Sequence, residues 1–392
     1  MNSGSAKTVD HCLKCNICHT QCPVAAAYPE FPGPKSIGPE IERFLSAGEP
    51  IPPELESLLS YCLNCRRCDL ACPHDVMPAS FLMRYRLMAP RGLLTALRDW
   101  VLAHNVWWGT MGSMLPGPFN MALRMPVSRF FMGILGIAPR DFPEYRKPHH
   151  IRCQRKKGTV MYFPGCFARF NAPEIMEAAE AVLTSCGYKV ECAPLGCCSI
   201  PMLTNSLIDE TVKIAERNTE VLVEALEAGA KIVTTCSSCG LALKQEYREL
   251  LREETAEKLA SSVFDIFELI AEEGHEPFRQ SQAPIEKAYY HISCHLKTQG
   301  IGAPAASYLR KYAVKELTVD DRFCCGISGT FGFKKEKYRL SMDIGSPLFA
   351  RIKESGADTV ITDCGTCTLQ IADGTGLKVI HPLVALKQAI NK

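Results

Sequence analysis

The sequence predicts two architectures in one chain: a helical, cysteine-wrapped unit at the N-terminus and, behind it, two copies of an α/β module. Three observations predict this. The run Cys62-Leu-Asn-Cys65-Arg-Arg-Cys68-Asp-Leu-Ala-Cys72-Pro73 has a near-copy at Cys12-Leu-Lys-Cys15-Asn-Ile-Cys18-His-Thr-Gln-Cys22-Pro23. From Gly158 onward, short apolar strands alternate with helical stretches, the rhythm of parallel βαβ units. That alternation occurs twice with cysteines at matching places, which marks an internal repeat.

Each N-terminal run reads C-x2-C-x2-C-x3-C-P, the spacing that wraps a 4Fe–4S cubane. A tight loop turns every third residue to the same side, so three thiolates face one cluster. In two-cluster proteins the fourth sulfur reaches across to the other cluster. The expected ligand sets are therefore Cys12, Cys15, Cys18 and Cys72 for one cubane, and Cys62, Cys65, Cys68 and Cys22 for the other. Structural zinc sites pair two C-x-x-C knuckles and need no third cysteine at that spacing, which argues against zinc. Turn signals at Pro32-Gly33-Pro34 and Pro52-Pro53 bound expected helices at Pro39–Ala47 and Pro53–Tyr61. A third helix, Pro78–Met88, closes a unit spanning residues 1–88. A helix delivering Cys62 directly after Tyr61 resembles the α-helical ferredoxin arrangement.

Hydrophobic content of 47% and charged content of 22% over 392 residues suit a globular chain with a real core. Twenty-one cysteines do not suit an ordinary one, and in a reducing compartment such clusters mean metal. Met1 to Asp10 has no apolar signal core, so cytoplasmic residence is expected.

Residues 89–157 differ in composition. They hold Trp100, Trp107 and Trp108, all the tryptophans of the chain, with Met111, Met114, Met121, Met125, Met132, Phe119, Phe130 and Phe131. No run is long enough to span a bilayer, and Pro116, Pro118, Arg124, Pro126 and Arg129 interrupt it. Between Arg84 and Lys157 there are thirteen Lys/Arg and three acids, a balance of +10 that leaves −8 for the rest of a chain of net charge +2. Aromatics mixed with arginines suit the headgroup boundary of a membrane or a partner subunit, and an anionic surface is the expected neighbour.

The first module is expected over residues 158–283 and the second over 284–392. Expected strands in the first are Thr159–Phe163, Lys189–Ala193 and Lys231–Thr235, with helices Ala172–Cys186 and Leu207–Ala228. The second repeats the order with strands Ala288–Ile292, Val314–Val319 and Thr359–Thr362 and helices Pro304–Tyr312 and Lys335–Ser355. Cys166 to Cys197 spans 31 positions and Cys294 to Cys324 spans 30; Cys198 to Cys236 spans 38 and Cys325 to Cys364 spans 39. All five cysteines of each module fall at strand exits, where parallel α/β folds place ligands. Five gathered thiolates repel one another unless a cation neutralises them, so an iron cluster is the natural occupant.

Cys166…Cys197-Cys198…Cys236-x-x-Cys239 and Cys294…Cys324-Cys325-Gly326…Cys364-x-x-Cys367 resemble the CCG cysteine-rich modules of heterodisulfide-reductase-like proteins. Joined behind a two-cubane unit, they make the chain similar to the C subunits of anaerobic glycerol-3-phosphate dehydrogenases. Cys324-Cys-Gly-Ile-Ser-Gly-Thr-Phe-Gly-Phe-Lys-Lys335, Glu354-Ser-Gly-Ala-Asp358, Thr362-Asp-Cys364 and Tyr28-Pro-Glu-Phe-Pro-Gly-Pro-Lys35 carry that resemblance. It implies an α-helical ferredoxin domain followed by two repeated α/β cysteine-rich modules, each able to hold a noncubane 4Fe–4S cluster on its five cysteines. It also implies electron transfer from flavoprotein catalytic subunits toward menaquinone, at the cytoplasmic face of the membrane. The first module departs from the pattern with Ser199 where the second has Gly326.

Other readings follow from single features. Gly326 to Gly332 lacks the phosphate-loop frame and is expected to line a cluster pocket. No dinucleotide fingerprint follows a strand, so no flavin or nucleotide site is expected. His291 and His381 are expected to be structural, whereas His295 is placed to hydrogen-bond a cluster sulfur or relay a proton. Cys153, Cys186 and Cys192 are expected to be ordinary buried thiols. Lys334 and Lys335 read as a solvated helix start or a docking patch. Disulfide chemistry on a noncubane cluster, or a lactate or glycolate donor, are the alternative functions.

Overall fold

The computed structural model describes residues 12–88, 92–151 and 160–390. Cys153, the cluster of basic residues at 152–157 and the first eleven residues lie outside them.

Two four-stranded parallel sheets form the C-terminal body, with identical orders β2-β1-β3-β4 and β6-β5-β7-β8. The strands are β1 (Val160–Phe163), β2 (Val190–Cys192), β3 (Lys231–Thr234), β4 (Val263–Asp265), β5 (Ile285–His291), β6 (Val314–Asp320), β7 (Thr359–Ile361) and β8 (Lys378–Ile380). Six of the eight follow the sequence pattern. β4 and β8 do not announce themselves, because three residues at a sheet edge show no periodicity, and they complete each module in the same way. Central strands β1 and β5 are buried along most of their length, as both faces of a parallel sheet must be. The two modules share one apolar core, in which Tyr162, Phe267 and Leu183 of the first meet Tyr290, Leu309 and Leu383 of the second.

The N-terminal unit meets this body through helices Pro23–Ala27 and Arg67–Leu70, and the rest of it includes helices Pro39–Ser46, Pro53–Leu58 and Pro78–Met88. Prolines stand at the first positions of the last three, where the missing N–H costs nothing. The run between Pro90 and Pro148 becomes four short helices, Leu93–Ala103, Asn105–Met114, Pro116–Arg124 and Pro126–Ile134, followed by an extended strap. None of the described helices is long and apolar enough to cross a membrane. Leu102 packs in the second module and Val106 against the first, so these helices roof both.

The expected basic surface falls partly on residues 84, 86, 91 and 152–157, whose side chains lie outside the described ones, but the described arginines of this roof are paired. Arg98 pairs with Asp99 and Glu336, Arg124 with Glu144, Arg129 with Asp141, Arg140 with Asp373 and Arg146 with Glu174. Arg140 also donates to Gln370 and to the Gly332 carbonyl, which straps residues 135–145 onto the second module. Lys334 is likewise buried and pairs with Asp99 at 2.9 Å rather than standing in solvent. Arg98 and Arg140 thereby fasten the segment to the second module, while Arg124 and Arg129 pair within it.

The N-terminal unit is clamped by Arg66, inside the second cysteine run. Its guanidinium is buried and donates to Asp69 and Ser80 of its own unit and to Glu246 and Glu249 of the first module. Asn64 donates to the same Glu246. Arg66→Leu leaves Glu246 and Asp69 buried without their cation, so a loss of about 3–5 kcal/mol is expected in urea unfolding followed by circular dichroism. A loss below about 1 kcal/mol, the value of an exposed pair, would show that the network does not hold the units together.

Candidate metal centre

The twin runs bring their sulfurs together across the sequence. Cys12, Cys15, Cys18 and Cys72 line one small cavity, and Cys22, Cys62, Cys65 and Cys68 line another. The crossing has a local cause. Asn16 and Arg66 hold left-handed backbone at the start of a one-turn helix in each run, which swings the fourth cysteine away from the first three. Backbone amides of Asn64 and Val76 donate to the sulfurs of Cys62 and Cys72, each at 3.4 Å. Burial, then the neighbouring Cys12, Cys72 and Cys15, push the Cys18 thiol up. Burial raises Cys22 to about 12, opposed by the Ala25 and Val24 amides and reinforced by its neighbours Cys62 and Cys18.

In the modules the sulfurs form two equivalent chains. Thiol contacts run Cys166–Cys197–Cys198–Cys239–Cys236 in the first. In the second they run Cys294–Cys324–Cys325–Cys367–Cys364, with Cys325 and Cys367 sulfurs 3.1 Å apart. Hydrogen bonds from flanking thiols pull Cys198 and Cys324 well below the ordinary thiol range, while their neighbours are driven up. Cys364 falls to about 5 through the hydrogen bond from Cys367. Five thiols this close cannot all ionise alone, and soft thiolate sets select iron–sulfur clusters or zinc. The space around them is kept open by glycine. A Cβ on Gly165, whose φ is +72°, would stand 2.7 Å from the Cys239 sulfur. The residues therefore fit a multinuclear cationic group.

The two turns after the cysteine pairs show how Ser199 and Gly326 differ. Both are left-handed, at φ 61° and 87°. Gly326 lies so close to helix Lys335–Ser355 that a Cβ would meet the Ser341 carbonyl oxygen at 2.1 Å. Ser199 instead lies buried with its hydroxyl against Tyr247, which compensates a left-handed cost on the order of 1–2 kcal/mol. The first turn thus reaches the same shape without glycine.

The histidines exchange the roles expected of them. A ring nitrogen of His291 lies within 4.8 Å of the Cys325 and Cys367 sulfurs, and its Nδ1 has no hydrogen-bond partner. Burial depresses its pKa to about 4, so the ring is neutral. His295 has both nitrogens engaged: Nε2–H donates to the Asn64 carbonyl at 3.1 Å, and Nδ1 meets the Ser238 hydroxyl at 2.8 Å. It ties the N-terminal loop to both modules rather than serving a sulfur. His381 is structural, capping helix Pro382–Leu386 and bonding the Thr235 carbonyl. Cys186 and Cys192 stand apart from these sulfur groups and are half-buried, not fully buried.

The four sulfur groups lie in a row whose order is not that of the chain. Cys18 neighbours Cys22, which joins the two N-terminal groups. Cys65 neighbours Cys324, so the second group abuts the second module. The two modules then meet around one cavity of about 380 Å³, which reaches Cys166, Cys198, Cys236 and Cys239 from one side and all five cysteines of the second module from the other. Ser328 of the glycine-rich loop bonds the Leu63 carbonyl at this junction, so that loop lines the pocket and docks the N-terminal unit.

Residues 8–76 match a 4Fe–4S dicluster domain, and residues 160–244 and 288–372 each match a cysteine-rich domain. The chain is 35% identical over 97% of its length, and 98% of the relative's, to the C subunit of anaerobic glycerol-3-phosphate dehydrogenase of Escherichia coli strain K12. It is 26% identical over 98% of its length, and 73% of the relative's, to the B subunit of the fumarate reductase (CoM/CoB) of Methanothermobacter marburgensis. The glycolate oxidase iron–sulfur subunit of E. coli K12 is 22% identical over 97% of this chain and 94% of its own. With dicluster domain, paired cysteine-rich domains and full-length identity in agreement, the chain belongs to the family of iron–sulfur electron-transfer subunits formed by the C subunits of anaerobic glycerol-3-phosphate dehydrogenases.

Proposed function

We propose that this chain carries electrons from flavoprotein catalytic subunits that oxidise sn-glycerol 3-phosphate to a membrane quinone, menaquinone, and does no substrate chemistry of its own. The observation that carries the reading is the unbroken row of four sulfur groups, from the half-exposed Cys12–Cys18 loop to the cavity beneath the apolar roof. Full-length similarity to a glycerol-3-phosphate dehydrogenase subunit supports the donor. The labour divides over residues 1–88, 89–157, 158–283 and 284–392.

Cys12, Cys15, Cys18 and Cys72 hold one 4Fe–4S cubane; Cys62, Cys65, Cys68 and Cys22 hold the other. Cys166, Cys197, Cys198, Cys236 and Cys239 hold a noncubane cluster in the first module, and Cys294, Cys324, Cys325, Cys364 and Cys367 hold one in the second. Bound there, iron–sulfur clusters accept and release single electrons, at potentials tuned by hydrogen bonds and burial. The chain supplies that tuning through amides such as Gly326 N–H on the Cys324 sulfur. His291 sits where it too can donate to the second module's group.

The chain works at the cytoplasmic face of the membrane, held peripherally by the roof helices. Leu93, Phe130 and Phe131 are 90%, 66% and 61% exposed, alongside Met114, Leu115 and Met121. Apolar faces of this size mark membrane or protein contacts, and the apolar side chains carry the attraction.

Anaerobic iron analysis is expected to return about sixteen irons per chain, given four per cluster, whereas about eight would leave the modules empty. Cys325→Ala should abolish the paramagnetic signal of the second module and spare both cubanes. Cys22→Ser is expected to damage the cubane of the Cys62 run and Cys72→Ser that of the Cys12 run; the opposite pattern would refute the crossed ligands. Phe130→Ser/Phe131→Ser should release the assembled complex from liposomes in sedimentation, and unchanged binding would count against membrane contact.

A further inference from the structure

The cavity between the modules has two unlike halves. Its floor is sulfur, where the clusters of the two modules would sit. Its roof contains no cysteine and belongs to neither module: Val101, Trp108, Phe119, Leu123, Met132 and Phe142 form it. A pocket that served only to seat metal would need no such ceiling. No Asp, Glu, Lys or Arg of the described residues lines the space, and the one histidine there, His295, has both nitrogens engaged. Asn105, Ser128, Thr330 and Thr366 add uncharged polar groups to the lining.

The helices that face the cavity with Leu123 and Met132 also expose Met121, Met125, Phe130 and Phe131. The same helices therefore present apolar side chains both to the cavity and to the outside of the protein. A ligand that fits must be uncharged, partly apolar, able to accept hydrogen bonds at its edges and soluble in the layer that covers the outer face. A disulfide bearing carboxylates or sulfonates fails the first condition, because no cationic side chain of the described residues meets its charged ends and burying an unpaired charge is costly.

We propose that this cavity is the binding site for the head group of a lipid-soluble quinone, with the roof helices as its threshold. The proposal rests on the quinone-linked reading above. Reduction of the bound quinone to the quinol consumes two electrons and two protons. The electrons come from the reduced flavin of the partner subunits and the protons from water; no bond to a cysteine forms.

The test uses the anaerobically purified full chain with its iron in place and menadione, a naphthoquinone without a tail that needs no membrane. Binding is measured by calorimetry, and reoxidation of the dithionite-reduced protein by recovery of visible absorbance. Leu123→Trp, which fills the cavity from the roof, is expected to weaken menadione binding at least about tenfold while iron content and paramagnetic signals stay as in wild type. Phe130→Ser/Phe131→Ser is expected to leave menadione binding within about twofold, because only the outer face has changed. Wild-type affinity in Leu123→Trp, or displacement of menadione by an anionic disulfide such as oxidised glutathione, overturns the proposal. If wild type binds no menadione while the assembled complex reduces quinone in vesicles, the site lies elsewhere and only this inference fails. If the assembled complex reduces no quinone at all, the underlying reading fails with it.

Discussion

Ten thiols meeting at the exits of two parallel sheets impose the constraint on which the rest of this structure depends. In each module the five sulfurs contact one another in a chain, and most of them are buried, with little water to share the charge. Only a bound cation relieves that crowding, so the surrounding backbone is shaped to keep the space open. Left-handed turns at Ser199 and Gly326, the missing side chain of Gly165 and the amide on Cys324 all serve this end. The same constraint recurs at lower density in the N-terminal unit, where left-handed Asn16 and Arg66 send each fourth cysteine to the opposite group.

Much of the architecture was legible because cysteine spacing and strand rhythm are both strong, local signals. Which sulfurs would gather could be read from C-x2-C-x2-C-x3-C-P and from the matched 30- and 31-residue separations. The helix over Lys335–Ser355 and the one over Pro78–Met88 fell where their patterns put them. What could not be read was three-dimensional partnership. The edge strands Val263–Asp265 and Lys378–Ile380 form because a neighbouring strand offers hydrogen bonds, not because three residues have a preference. His295 sits next to Cys294 in sequence, yet its ring turns to Asn64 and Ser238, while His291, three residues before that cysteine, ends near two sulfurs.

Charge was the least legible property. A count of basic residues between Arg84 and Lys157 suggests an electrostatic surface, but for the described ones a count ignores who stands opposite. Arg98, Arg140 and Lys334 are buried in ion pairs that fasten the roof to the second module. Arg66, hidden inside a metal-binding motif, proves to be the clamp between units. Such buried pairs are costly to desolvate, and their value lies in fixing one arrangement of the parts.

The order of the sulfur groups has a consequence for how such a chain could have grown. Because Cys65 feels the charge of Cys324 and of no first-module cysteine among its main neighbours, the last part of the polypeptide is the middle of the row. Two copies of one ancestral unit have thus become unequal in position: one is a junction, the other a terminus. Shortening the gene from its 3′ end would not trim the far end of the row but open a gap in its centre. The C-terminal copy is therefore the one such a lineage could least afford to lose.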